Sequence, residues 1–314
     1  MHSPIADCLN ALRLVAPIVH GRLAMHPLLA VHDIAPDYFT LDEAMDQGLC
    51  EVRELTEGGH VNRLVLVNRA DRPVLLLDTD LLVSAKQNRV INLTWQASAR
   101  GDTEQPVSGA KQGRWSYTDE RRFYAAKEAC YARARAVKAA QVTANKRWRE
   151  TSDDQGVVWD EIRTKCARMA VHSPIQDMTY LFSDREDKLE RQVMAFAPSP
   201  RKPVRCSRST APSSAWTCST ARALWPESRP AGHVAMPWRP SIPCPPASRR
   251  GATPVADFLD DLKAAKPSYH RAPGLGEDVQ VEDEGLGASA LLHAGRFLHL
   301  FAYANPLALH KQDR

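Results

Sequence analysis

Between Cys50 and Trp95 five short runs rich in Val, Leu and Ile follow one another with turn residues between them, whereas Asp119 to Glu150 contains neither Gly nor Pro. A chain that changes hydrophobic period in this way has to keep its strands and its helices in separate stretches. The runs Cys50 to Leu55, Val61 to Asn68, Pro73 to Leu77, Leu81 to Ser84 and Val90 to Trp95 are predicted strands, punctuated by Gly58-Gly59 and Asp71-Arg72-Pro73. Unbroken apolar stretches such as Val74-Leu75-Leu76-Leu77 point to burial on both faces. Before them, Thr40-Leu41-Asp42-Glu43 reads as a capping box opening a short helix that Gly48 closes.

Ala, Lys, Arg and Glu dominate Asp119 to Glu150, which predicts a long helix. A second helix starts near Asp153 or Asp154, because Val158, Ile162, Cys166 and Met169 recur at helical spacing, and Pro174 ends it. A third, Ser183 to Phe196, opens on a further capping box. Toward the C-terminus Val255 to Ala265 reads as a helix. Val279 to Val281, Ala288 to His293 and Arg296 to Tyr303 read as strands, the last two joined by a turn at Gly295. The expectation is an α+β protein forming one domain over residues 1–314, with a β-rich N-terminal half, long helices, and a C-terminal helix plus hairpin.

Arg201 to Arg250 resembles neither of its neighbours. It holds nine Pro, eight Ser, three Trp and three Cys but no Phe, Tyr or Asp. It also holds nine basic residues and one acid, a local +8; the remaining 32 basic and 36 acidic groups sum to −4. The chain's overall +4 therefore comes from this window and is no argument for a nucleic-acid or membrane partner. One reading is a disordered basic linker. The other is a frameshift: moving the register by one nucleotide allows Arg205 to Ala221 to be re-read as ALFAIDGAVVGLDLFDS, two apolar segments around an Asp-Gly turn.

No apolar run is long enough to cross a bilayer, and Asp7 precedes any Lys or Arg, so a cytoplasmic protein is expected. Seven widely spaced cysteines without a CxxC pair argue against a disulfide framework or a structural zinc site; no metal and no cofactor is expected. Signatures of the P-loop, GxGxxG, GxSxG and HExxH kinds are missing. The densest polar group is Lys86-Gln87-Asn88-Arg89 between two apolar runs, whose donors suit a phosphate, a ribose or an amide and equally suit loop scaffolding. Gln112-Gly113-Arg114-Trp115 is a second such group: Arg114 can clamp an oxyanion, and Trp115 can stack on a base or plug a core. Asp154 reads first as a helix cap and second as a general base; Asp80, like Asp78, stands at a strand end where carboxylates often enter sites.

These residues carry a resemblance. Pro73 to Asp78, Ala85 to Arg89, Pro106-Val107-Ser108 with Gln112 to Trp115, and Asp154-Gln155 followed by Val158-Trp159 resemble the ARG and rhodanese-phosphatase-superfamily-associated protein domain in order and spacing. Phe258-Leu259 and Gly274 to Asp278 are similar to it as well. The resemblance implies a place in NAD or ADP-ribose metabolism, with an ADP-ribose or nucleotide derivative as ligand. It also implies an ADP-ribosylglycohydrolase or phosphatase as partner. The site it implies draws on Lys86, Gln87, Asn88, Arg89, Gln112, Arg114 and Trp115. The alternative is a non-enzymatic module that partners an ADP-ribose-processing enzyme.

Overall fold

The computed structural model describes residues 3–20, 23–30, 36–55, 63–84, 88–110, 123–145, 155–171, 177–183, 185–195, 206–208, 215–219, 255–283 and 285–304. Helix α1 (Pro4–Asn10) leads into β1 (Leu12–Leu14), β2 (Ile18–His20), β3 (Leu23–Met25) and β4 (Leu28–Ala30), nested so that β2 pairs with β3 and β1 with β4. Strand β5 (Phe39–Thr40) enters α2 (Leu41–Asp46) through the expected capping box. The Glu43 N–H donates to Thr40 Oγ1 at 3.4 Å and the Thr40 N–H to Glu43 Oε2 at 2.9 Å, so two helix-end donors that would lack partners are satisfied.

The expected strands follow as β6 (Cys50–Glu54), β7 (Arg63–Asn68), β8 (Val74–Leu76), β9 (Asp80–Val83) and β10 (Arg89–Ile91). The last is shorter than its sequence suggested, because the chain leaves the sheet at Asn92 and forms β11 (Trp95–Ala97) elsewhere. Strand β12 (Gly101–Gly109) was not legible, since Gly, Asp and Pro dilute its pattern. Strand β13 (Tyr124–Ala129) is a correction: it occupies the front of the stretch expected to be helical, and the helix α3 covers only Ala132–Asn145. Helix propensities differ by at most about 0.7 kcal/mol per residue, whereas burying one phenylalanine is worth about 1.5–3 kcal/mol. Phe123 is buried just ahead of this strand and β13 extends the sheet along β9, so tertiary packing outweighs propensity here.

Helix α4 (Gln155–Met169) buries Val158, Ile162, Cys166 and Met169 as their spacing predicted, and stops at Met169, ahead of Pro174. The expected third helix is α6 (Glu186–Ala195); a short helix α5 (Tyr180–Ser183) precedes it, and Ser183 ends that helix instead of capping α6, its hydroxyl donating to the Tyr180 carbonyl at 3.4 Å. Within the anomalous window lie β14 (Cys206–Arg208) and β15 (Ala215–Ser219), an antiparallel pair. Helix α7 (Val255–Ala264) precedes β16 (Ser268–Arg271), β17 (Glu277–Glu282), β18 (Leu286–His293) and β19 (Arg296–Ala304), and the turn between the last two falls at Ala294-Gly295.

Two six-stranded antiparallel sheets organise these elements, in the orders β13-β9-β10-β12-β7-β6 and β14-β15-β19-β18-β17-β16; β11, β8 and β5 form a smaller sheet. One face of the first sheet packs Leu81 and Val90 against α4 and α5 (Val158, Ile162, Leu181, Phe182). Its opposite face packs Val52, Leu64, Leu66 and Val107 against α2, β8 and β11. The second sheet is covered by α1 and α7 through Ile5, Leu9, Phe258 and Leu262. Its other side receives α3, whose Ala136 and Ala139 pack on Phe301 and Tyr303. Among the described residues, no helix is long and apolar enough to cross a membrane. Cys50, Cys130 and Cys166 are buried thiols outside any disulfide, as is the partly buried Cys8.

Candidate ligand-binding site

Three connections of the first sheet leave from the same end. Strand β6 stops at Glu54 and β7 resumes at Arg63; β9 stops at Val83 and β10 resumes at Arg89; β12 stops at Gly109 and β13 resumes at Tyr124. The register brings these ends together: Glu54 lies opposite Leu64, Arg63 opposite Pro106, Arg89 opposite both Gly109 and Leu82, and Tyr124 opposite Val83. The two polar sequences singled out above are thus the β9–β10 and β12–β13 connections of one sheet end. Lys86, Gln87, Gln112, Arg114, Trp115 and Asp154 lie outside the described residues.

Asn88 and Arg89 are described, and both are buried. Asn88 Oδ1 accepts from the Ser84 N–H at 3.3 Å, and Nδ2 donates to both carboxylate oxygens of Asp177 at 3.2 and 3.0 Å, so this amide ties the start of β10 to the segment before α5. Arg89 is wholly removed from water, with Nη2 3.8 Å from Glu54 Oε1. Burial pulls the guanidinium pKa down, and the Glu54 charge opposes that shift. Neither Glu54 oxygen, both of them buried, has a hydrogen-bond partner. By register Glu54, Leu64 and Gln105 form one row across β6, β7 and β12, and Arg89 shares their face. Asp80 is also buried, and its Oδ2 accepts from the Leu77 N–H at 2.9 Å, which closes the turn between β8 and β9.

The model of the ARG and Rhodanese-Phosphatase-superfamily-associated Protein domain, ARPP-1, matches residues 11–205, more than half of the chain. The chain belongs to this family. No curated protein and no solved structure matches it significantly. The ARPP-1 name records association with ADP-ribosylglycohydrolase and the rhodanese-phosphatase superfamily. The whole sheet end, with Glu54, Asn88, Arg89 and Gln105, falls inside the matched residues, whereas α7 and β16 to β19 fall outside them.

Those outer strands are nonetheless joined to the ARPP-1 part through a buried ionic centre. Asp78, in the turn after β8, receives Arg135 Nε at 2.7 Å and Nη2 at 2.6 Å, and Thr94 Oγ1 donates to it at 3.0 Å. The Lys138 ammonium, one turn further along α3, donates to the backbone carbonyls of Asp78 and Ile91 at 2.7 and 2.6 Å. From β19, His299 Nε2 meets Arg135 Nη2 at 2.6 Å, and Phe301 lies under the guanidinium at 3.5 Å. Burial alone would raise the Asp78 carboxyl, but Arg135, with His299 and Lys138, outweighs it and holds the group down at about 2. Burial and the Arg135 charge push His299 down to about 3, so the ring is neutral at pH 7. Arginine can only donate, so Nε2 is the acceptor and the ring proton sits on Nδ1. The contact at 3.7 Å between His299 and Asp78 is therefore not an ion pair at neutral pH.

Glu54, Gln105, Arg135, Lys138 and His299 were all missed in the sequence. A signal existed for two of them: Arg135 and Lys138 lie three apart in the Ala-rich run Ala132 to Ala140, where small neighbours mark a close-packed face. His299 carries no such mark, as it is one residue of an apolar strand whose neighbour in space is 164 positions away.

Proposed function

We propose that this ARPP-1 protein binds, and through that binding serves the processing of, an ADP-ribose or nucleotide derivative at the loop end of the first sheet. The observation carrying the reading is the wholly buried Arg89 guanidinium 3.8 Å from Glu54, a carboxylate whose two oxygens are buried and accept no hydrogen bond. A carboxylate is an acceptor for the paired hydroxyls of a ribose, and a guanidinium suits a phosphate oxyanion. Both stand where the donor-rich connections bearing Lys86, Gln87, Gln112, Arg114 and Trp115 leave the sheet. The family's association with ADP-ribosylglycohydrolase supports the same ligand class. Thermal-shift titration of the full chain with ADP-ribose, AMP and NAD tests it. ADP-ribose should raise the melting temperature, and Glu54→Gln, which keeps the shape of the side chain, should remove most of that rise. Absence of a shift with all three ligands would sink the reading.

A second reading is a non-enzymatic module that partners an ADP-ribose-processing enzyme. Asn88 favours it, because its amide is engaged internally with Ser84 and Asp177 and acts as scaffold. A stable, ligand-independent complex with an ADP-ribosylglycohydrolase in size-exclusion chromatography distinguishes this reading from the first.

A further inference from the structure

We infer that a pocket along the free edge of β12 is the subsite for a planar hydrogen-bonding group of the ligand, a nucleobase or a carboxamide. This deepens the nucleotide reading above and rests on it. Strand β12 pairs with β7 over residues 101–106 but with β10 only over 107–109, because β10 departs at Asn92. The vacant stretch of edge is faced by Pro273-Gly274-Leu275, which is held to β11 by the Leu275 N–H donating to the Gln96 carbonyl at 2.8 Å. Only glycine allows that approach: a Cβ on Gly274 would lie 2.1 Å from the Gln96 carbonyl oxygen and 3.0 Å from the Trp95 ring. The space between is a pocket of about 650 Å³, within the range of small-molecule sites.

Gln105 lines this pocket and is wholly buried, yet neither its Oε1 nor its Nε2 has a hydrogen-bond partner. Trp95 Nε1, in the apolar cluster on the same face of the sheet, is likewise without one. Buried amides are hydrogen-bonded in the great majority of cases, and leaving one unmatched costs about 1–3 kcal/mol. A glutamine amide presents a donor and an acceptor side by side in one plane. Its complement is a group offering an acceptor beside a donor, as the adenine N6/N7 edge or a carboxamide does.

The charges at the rim decide which part of a nucleotide this pocket takes. Asp102, Glu104 and Arg63 line it, and Arg63 is paired with Glu104 at 3.0 Å, which leaves a net negative charge. A phosphate is repelled there, whereas a neutral or cationic ring and sugar hydroxyls are not. The phosphates then belong toward Arg89 at the sheet end, and Arg63, at that same end of β7, marks where the two parts of the ligand would join.

Saturation-transfer NMR on the full chain tests the assignment with adenosine, nicotinamide and ribose 5-phosphate as separate probes, alongside ADP-ribose titration. Adenosine or nicotinamide should receive saturation from the protein, and Gln105→Leu should weaken that binding at least tenfold while raising the melting temperature, since it removes an unmatched amide. Ser98→Trp, which fills the pocket from its wall, should abolish binding of the same probe by a route that does not depend on Gln105. If ADP-ribose binds with undiminished affinity to both variants but not to Glu54→Gln, the subsite is overturned and the proposed function stands. If adenosine or nicotinamide binds in a Gln105-dependent way while ADP-ribose does not bind, the subsite stands and the ADP-ribose reading falls. Failure of both bases to bind overturns the subsite.

Discussion

Arg135 donates two hydrogen bonds to Asp78 from a helix packed against the other large sheet, and its guanidinium also meets His299 on that sheet at 2.6 Å. One buried side chain thereby joins the family-matched part of the chain to the strands beyond it. The desolvation of such a group is tolerable only while its partners stay in place.

Arg135→Met should accordingly destabilise the fold by about 3–5 kcal/mol, because it leaves the Asp78 carboxylate buried with its main counter-charge gone. The double variant Arg135→Met with Asp78→Asn should recover part of that loss. Urea unfolding of the two singles and the double measures the coupling. A truncated chain ending at residue 205 loses His299 and Phe301 together, and should show a lowered melting temperature or no cooperative transition at all.

The pH dependence follows from three buried groups. His299, lowered to about 3 from 6.5, takes up a proton on unfolding at any pH between those values, which makes stability fall as pH drops. Asp278, raised to about 7 by burial against its bond from Gln280 and with Asp78 adding to the rise, releases a proton on unfolding between pH 3.8 and 7, which has the opposite sign. The two offset each other from about pH 6.5 to 4. Below 3.8 the Asp278 contribution ends and that of Asp78, held down at about 2, begins with the same sign as His299. Stability should be nearly flat from pH 6.5 to 4 and then fall steeply. Asp278→Asn should expose a slope of about 1.4 kcal/mol per pH unit in the formerly flat range. Chemical denaturation at half-unit pH intervals measures it, and a variant that stays flat would refute the pairing.

Gly274→Ala forces a Cβ against the Gln96 carbonyl, a backbone atom that cannot swing aside. A loss of about 1–3 kcal/mol is expected, of the size of other overpacked sites. Hydrogen exchange should locate it at the Leu275 amide, whose bond to Gln96 is the contact displaced.

For the window 201–250 we propose that the gene carries a shifted reading frame. Strands β14 and β15 fall at the positions that the shifted register fills with LFA and GLDLF, and β15 pairs along five residues of β19. The nucleotide sequence across codons 195 to 255 decides: an open frame encoding the apolar hairpin supports the proposal, and normal codon bias in the present frame refutes it. The frame-restored chain should melt several degrees higher, because apolar residues would stand at a sheet edge that now carries Cys206, Ser207 and Arg208.

Local signals carried much of the fold. The capping box at Thr40 and Glu43, the helical spacing of Val158, Ile162, Cys166 and Met169, and the C-terminal hairpin were all legible, because each depends on residues within a few positions of one another. Family membership was legible as well, since it rests on order and spacing along the chain. Strand β12 and the strand β13 were not, because their conformation is imposed by β7, β10 and β9 rather than by their own side chains. At the candidate site the sequence marked Asn88 and Arg89 as polar residues between strands. Only the tertiary structure sent Asn88 to Asp177 and put Arg89 beside Glu54, 35 positions earlier in the chain. The same holds for Asp78, Arg135 and His299, which are dispersed along the sequence and meet only where two sheets close on one helix. What a residue does locally is written in its neighbours, whereas the desolvation that turns a charge into a structural joint or a ligand contact exists only once the chain has folded around it.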